Sequence, residues 1–130
     1  MLTDEIIQKL IDQTTAMVND YGDGEISTVA ASAFNQDGSI TSSLNFYHFT
    51  GGPCAEVALL ARLASEGRHD PKIIVAVGDN SRGVIAPCGR CRQVLMDNYP
   101  SIEVIIPSSG GPKLVNISEL LPEPYIRSAH

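Results

Sequence analysis

Apolar residues recur along the first twenty positions at helical spacing. Leu2, Ile6, Ile7, Leu10, Ile11, Met17 and Val18 share one face, and polar residues fill the other. With Thr3 or Asp4 as an N-cap, this pattern predicts an amphipathic helix over residues 3–20, ended by Tyr21-Gly22-Asp23-Gly24. The period then changes. Residues 26–35 and 39–46 are rich in β-branched and small side chains and flank Gln36-Asp37-Gly38, whose Asp-Gly signals a hairpin, so the two segments are expected to pair antiparallel. From Cys54 to Gly67 the chain is built of helix formers, and Gly67 stands where a C-terminal cap glycine belongs. Lys72 to Gly78 is a short unbroken apolar run, the mark of a strand buried on both faces. Pro87 opens a further helix to about Asn98. A fourth strand is expected over residues 102–106, a fifth over 113–115 and a short helix over 117–121. Helix and strand alternate without a linker or a repeat. The expected fold is α/β, a three-layer α/β/α sandwich around a mixed, mostly five-stranded sheet.

Composition narrows the function. With 130 residues, 43% of them apolar, and a mean hydropathy of +0.03, residues 1–130 read as one domain able to bury a core without staples. Nine basic residues face fifteen acidic ones, for a net charge of −6 and a pI of about 4.8. No basic run interrupts this balance, which argues against a nucleic-acid partner, because long polyanions are held by clustered Lys and Arg. A small, weakly charged substrate fits better. Met1-Leu2-Thr3-Asp4-Glu5 is acidic where a secretory leader is basic, and no apolar run approaches membrane-spanning length. The expectation is a cytoplasmic protein with no membrane partner.

The three cysteines fall in two phrases, Pro53-Cys54-Ala55-Glu56 and Pro87-Cys88-Gly89-Arg90-Cys91. Both lie at predicted strand-to-helix corners. Cys88 and Cys91 are three residues apart, so on one helical turn their sulfurs face the same way and can share an ion at about 2.3 Å. Three thiolates leave a tetrahedral zinc with one open position, whereas a structural site takes a fourth protein ligand. The N–H groups and dipoles of two helix starts favour thiolate over thiol, and Pro53 and Pro87 waste no donor there. Arg90 and Arg92 either neutralise the sulfurs further or belong to the surface. Glu56 in isolation reads as a favourable charge near a helix start. Beside such a metal it can instead take a proton from water and hand it to a ring nitrogen and then to a departing amine, which is hydrolytic deamination.

Cys54-Ala55-Glu56 followed by Pro87-Cys88-Gly89-Arg90-Cys91 resembles the signature of the zinc-dependent cytidine deaminase superfamily. The longer phrases, Asn45 to Glu56 and Arg82-Gly83 leading to Pro87 through Leu95, resemble its blasticidin S deaminases. The similarity runs from about Thr28 to Leu121-Pro122 and Tyr125. The resemblance implies a cytidine deaminase-like fold, one Zn2+ per subunit on Cys54, Cys88 and Cys91, Glu56 as the catalytic proton shuttle, and a homotetramer. It further implies substrate contacts at Thr28, Asn45, Tyr47, Ala55, Arg82 and Tyr125. The implied reaction deaminates the cytosine ring of a small nucleoside, blasticidin S first and cytidine or deoxycytidine as the alternative. A non-catalytic zinc-containing binding protein is the third reading. In the family the asparagine before the zinc helix contacts the substrate sugar, here Asn45, and ordinary cytidine deaminases carry a glutamate two residues later. This chain has Tyr47 there, so cytidine is expected to lose ~1–3 kcal/mol of binding. Blasticidin S bears a carboxylate, which Arg82 matches, and a guanidine arm. The tail Ile126-Arg127-Ser128-Ala129-His130 departs from the aromatic-ending tail of those enzymes.

Each substrate position also has a purely structural reading. Asn45 can terminate a strand, Tyr47 and Phe49 can be core or subunit-contact aromatics, and Arg82 can be a solvated turn charge. With three thiolates filling the protein side of the metal, His48 reads as a hydrogen-bonded or interface histidine. His69 and His130 carry no chemical signal. Gly51-Gly52 belongs to no phosphate-binding pattern and reads as a place where backbone approaches the base closely.

Overall fold

The computed structural model describes residues 2–126 and Ser128. Met1 and, from the tail, Arg127, Ala129 and His130 lie outside the described residues. The first helix, α1 (Leu2–Tyr21), is followed by the antiparallel hairpin β1 (Val29–Asn35) and β2 (Ile40–Leu44), in which Phe34 faces Ile40 across the Asp-Gly turn. Then come α2 (Ala55–Ser65), β3 (Pro71–Gly78), β4 (Gly83–Ile85) and α3 (Gly89–Asn98). The chain closes with β5 (Glu103–Ile106), β6 (Lys113–Asn116) and the single turn α4 (Ile117–Leu120).

The sheet runs β2-β1-β3-β5-β6, with β4 paired to β3. Among the described residues only β3 and β5 pair in parallel; the other pairs are antiparallel. As expected of a strand covered on both sides, β3 alternates its apolar side chains between two layers. Ile73 and Val75 pack with Leu10, and Val77 with Val18, all on the α1 side. Ile74 and Ala76 pack with Leu59, Leu63 and Leu95 from α2 and α3 on the other. Leu10, Leu59, Leu63 and Leu95 are all fully buried, each contributing ~1.5–3 kcal/mol by removal from water. A chain of hydroxyls, Thr14 to Ser32 at 2.6 Å and Ser32 to Ser42 at 2.7 Å, fixes α1 over the hairpin.

Two features differ from the sequence reading. The sheet has six strands rather than five, because Gly83–Ile85 turns back on β3 through a loop in which Asn80 and Ser81 adopt φ of 53° and 60°. Three residues give too short a stretch for any period to show. The first hairpin strand also starts later than expected. Asp23 Oδ1 accepts the backbone N–H groups of Glu25, Ile26 and Ser27, and Asn45 Oδ1 accepts those of Thr28 and Val29. Side chains thereby take the place of a strand partner. The short helix formed as expected, closed by a reciprocal capping box between Asn116 and Glu119. Among the described residues no helix is long and apolar enough to cross a membrane.

Candidate metal centre and cleft

Both Pro-Cys phrases end in a helix start on the same face of the sheet. Cys54 is the N-cap of α2 and Cys88 the N-cap of α3, each with extended backbone, and Cys91 lies within the first turn of α3. The C-terminal cap of α2 is closed by Gly67, at φ +73°. In the approach to Cys54, Gly52 has no room for a side chain: a Cβ there would sit 1.9 Å from the carbonyl oxygen of Phe46. The close approach at Gly52 is to the chain's own backbone, while a Cβ at Gly51 would meet nothing within 4 Å.

The three sulfurs converge. They lie within 4.8 Å of one another, and Cys54 Sγ is 3.7 Å from Cys88 Sγ. That separation is far beyond a disulfide. It matches the edge of a tetrahedron with 2.3 Å bonds, about 3.8 Å. Soft thiolates at that spacing suit a zinc ion, so the donor set passes the test of chemistry and size for one metal. Glu56 is adjacent to this cluster without belonging to it, its Oε1 3.7 Å from Cys91 Sγ.

Exposure differs sharply among these groups. Cys91 is fully buried and Glu56 is 7% exposed, whereas Cys54 is half-buried and Cys88 exposed. Burial raises the Glu56 carboxyl above its usual range. Burial, with the Glu56 charge beside it, pushes the Cys91 thiol up strongly, and burial next to Cys88 raises Cys54. At Cys88 burial also acts upward, but the N–H groups of Cys91 and Arg90 and the neighbouring thiols outweigh it and lower that thiol. Neither N–H completes a side-chain cap. Among the described residues no Lys or Arg forms an ion pair with Glu56.

Beside the sulfurs lies a cleft of about 170 Å3, lined by Asn45, Ala55, Glu56, Cys54 and Cys88 with Val29, Ile85 and Ala86 as apolar walls. This is below the ~300 Å3 of a drug-sized pocket and has room for a single ring. Val29 and Ile85 carried no sequence signal; Ile85 belongs to the strand too short to predict. A larger cleft, about 570 Å3, is lined by residues such as His69, Asp70, Tyr99 and Glu103 at the opposite ends of β3 and β5. Its size does not make it the chemical site, since the thiols and Glu56 lie elsewhere.

The remaining candidates are placed as follows. Asn45 does end a strand and also lines the cleft; its Oδ1 is taken up by two backbone N–H groups, which leaves the amide nitrogen to donate. Thr28 is half-buried beside it, its carbonyl accepting from Asp79 N–H and Arg82 Nη2. Arg82 also pairs with Asp79 at 2.9 Å. Tyr47 and Phe49 are not core residues: with Phe46 they form an exposed aromatic edge, at 57%, 83% and 63% exposure. His48 is exposed, bonded to Thr50 and stacked at a tilt on Phe49, outside the metal cluster. Tyr125 is exposed, and its backbone carbonyl accepts from Gln93. Arg92 turns away from the sulfurs, donating to the carbonyls of Pro87 and Leu120.

No family model matches the chain. A cytidine deaminase of Halalkalibacterium halodurans is 36% identical over 98 residues, covering 72% of this chain and 74% of that protein. A blasticidin-S deaminase of Bacillus cereus is 29% identical over 129 residues, 92% of each chain. The crystal structure of a cytidine deaminase from Burkholderia pseudomallei superposes with a TM-score of 0.75 at 27% identity, over 91% of this chain and 98% of that one.

Proposed function

The chain belongs to the cytidine deaminase family, and from that premise we propose that it is a zinc-dependent hydrolase that deaminates the cytosine ring of a small nucleoside, blasticidin S in the first place. The observation that carries this reading is the juxtaposition of three converging sulfurs with a buried carboxylate that is not one of them. Cys54, Cys88 and Cys91 would hold the zinc, which would supply a water-derived nucleophile at neutral pH. Glu56 would carry one proton of the attacking water to the ring nitrogen as the C–O bond forms, and then the second, from the added hydroxyl, to the amino group, so that the C–N bond breaks and ammonia leaves. Ala55 and the apolar walls keep bulk water from the ring. Asn45 donates its amide N–H to the sugar. Thr28, Tyr47, Arg82 and Tyr125 complete the substrate surround. Arg82 must exchange its hold on Asp79 to meet a substrate carboxylate.

Blasticidin S is supported over cytidine by the match to a blasticidin-S deaminase over 92% of each chain and by Tyr47 in place of a sugar-binding carboxylate. The higher identity of the cytidine deaminase relative favours cytidine as the second reading. The test is the ultraviolet change of the cytosine chromophore when zinc-loaded protein meets each nucleoside in parallel. Blasticidin S is expected to turn over faster, and Tyr47→Glu to shift the ratio of kcat/KM toward cytidine by ~10–100-fold, the equivalent of one charged hydrogen bond. Cytidine turnover alone overturns the substrate choice, and an unchanged ratio removes Tyr47 from it.

The exposed Phe46, Tyr47 and Phe49 beside so small a cleft support a homotetramer in which neighbouring subunits cover this edge. Light scattering is expected to give four times the 13.9 kDa chain mass, and a stable monomer at micromolar concentration would remove the assembly. Free thiols of this kind fit a reducing compartment, the cytoplasm.

A further inference from the structure

In each Pro-Cys phrase the carbonyl just before the cysteine is held from elsewhere in the chain. Pro53 O accepts the backbone N–H of Phe46 at 3.2 Å, and Pro87 O accepts Arg92 Nε at 2.8 Å. These bonds fix the peptide plane from which each sulfur projects. At Cys54 the donor is backbone; at Cys88 it is a side chain. Cys88 needs the restraint most, because it is the exposed member of the cluster, while Cys91 is immobilised by complete burial. The same guanidinium donates Nη1 to the carbonyl of Leu120 at 3.1 Å, the last residue of α4.

We propose that Arg92 is a positioning residue for the Cys88 ligand, bridging the Pro87 carbonyl to the end of α4 so that zinc retention depends on the docking of this C-terminal turn. The proposal rests on the three-thiol zinc reading. It distinguishes geometry from charge, since Arg90 carries the same charge within the same helical turn and makes no such bridge. A lysine at position 92 keeps the charge, but a single ammonium lacks the forked guanidinium that meets two carbonyls at fixed geometry.

Zinc affinity is measured by competition with a chromophoric chelator, and ligand geometry by the thiolate-to-metal absorption of the cobalt-substituted protein. Groups that orient a ligand typically carry ~10–100-fold in metal affinity. Arg92→Met is therefore expected to weaken zinc at least ~10-fold with native circular dichroism and an altered cobalt band, and Arg92→Lys to weaken it in the same direction. Arg90→Gln should leave the affinity within about twofold of wild type, far short of that range. A folded Arg92→Met with wild-type affinity and cobalt spectrum overturns the proposal. If that variant does not fold, Arg92→Lys decides, and wild-type affinity there is equally fatal. An equal loss in Arg90→Gln would show charge to be the cause and also overturn it. A wild-type protein that takes up no zinc would instead refute the metal reading itself, and the proposal with it.

Discussion

Glu56→Gln is expected to lower kcat by ~10⁴-fold, about 5.4 kcal/mol of transition-state stabilisation, while one zinc per chain and the fold are retained. The size follows from the proposed use of the side chain more than once in a turnover, first as base and then as acid, with no other carboxylate among the described residues lining the cleft to replace it. Retention of the fold follows from shape. Glutamine fills the same volume, and the change removes a carboxylate that burial disfavours in its charged form, so thermal stability should hold or rise slightly. Single-turnover kinetics, zinc analysis and thermal unfolding on one preparation check this. Loss of zinc with the mutation would show Glu56 to be a ligand, and turnover within tenfold of wild type would sink its role as proton carrier.

Cys91→Ser is expected to abolish stoichiometric zinc binding and, with it, turnover. Cys91 is the cysteine with no access to water, so a hydroxyl in its place can neither ionise nor find solvent. The stability consequence is measurable apart from activity. A wild-type chain in zinc at 1,000 times its dissociation constant gains ~4.1 kcal/mol by mass action, or about 16 °C in unfolding midpoint at some 4 °C per kcal/mol. A strong chelator should remove that gain from the wild type. The serine variant should start low and fail to respond to zinc. A variant that still binds one zinc with an unchanged midpoint would exclude Cys91 from the metal.

The cysteine phrases, the Asp-Gly hairpin and the helical face of α1 were legible in the sequence because each is a local pattern. Spacing three residues apart on a helix start, or alternation across a turn, needs no knowledge of the rest of the chain. The three-layer arrangement followed from the continuous apolar run of β3, which must be covered on both sides. What was not legible is non-local or too short. Arg92 finds Leu120, 28 residues on, and nothing in the residues around Arg92 announces that partner; its expected place was at the sulfurs or on the surface. Asn45 looked like either a strand terminator or a substrate contact; its amide oxygen does the first, and its nitrogen stays open to donate beside the cleft. The wall formed by Ile85 depends on a three-residue strand, recognisable only by its pairing with Ala76.

The central strand has one edge devoted to β1 and divides the other, with Ile73 and Ile74 beside β5 and Ala76 to Gly78 beside β4. In terms of assembly, this makes β3 the strut between the two halves of the metal centre. One cysteine phrase follows the hairpin on its first edge, and the other follows the short strand on its second. The sulfurs of Cys54 and Cys88, 34 residues apart, are brought together by elements paired on both edges of β3. Hairpins close early because their loops are short, and contacts of long sequence separation come late. The centre is thus expected to be among the last parts of the chain to form, with ion capture a latch on a completed sheet rather than a nucleus for it.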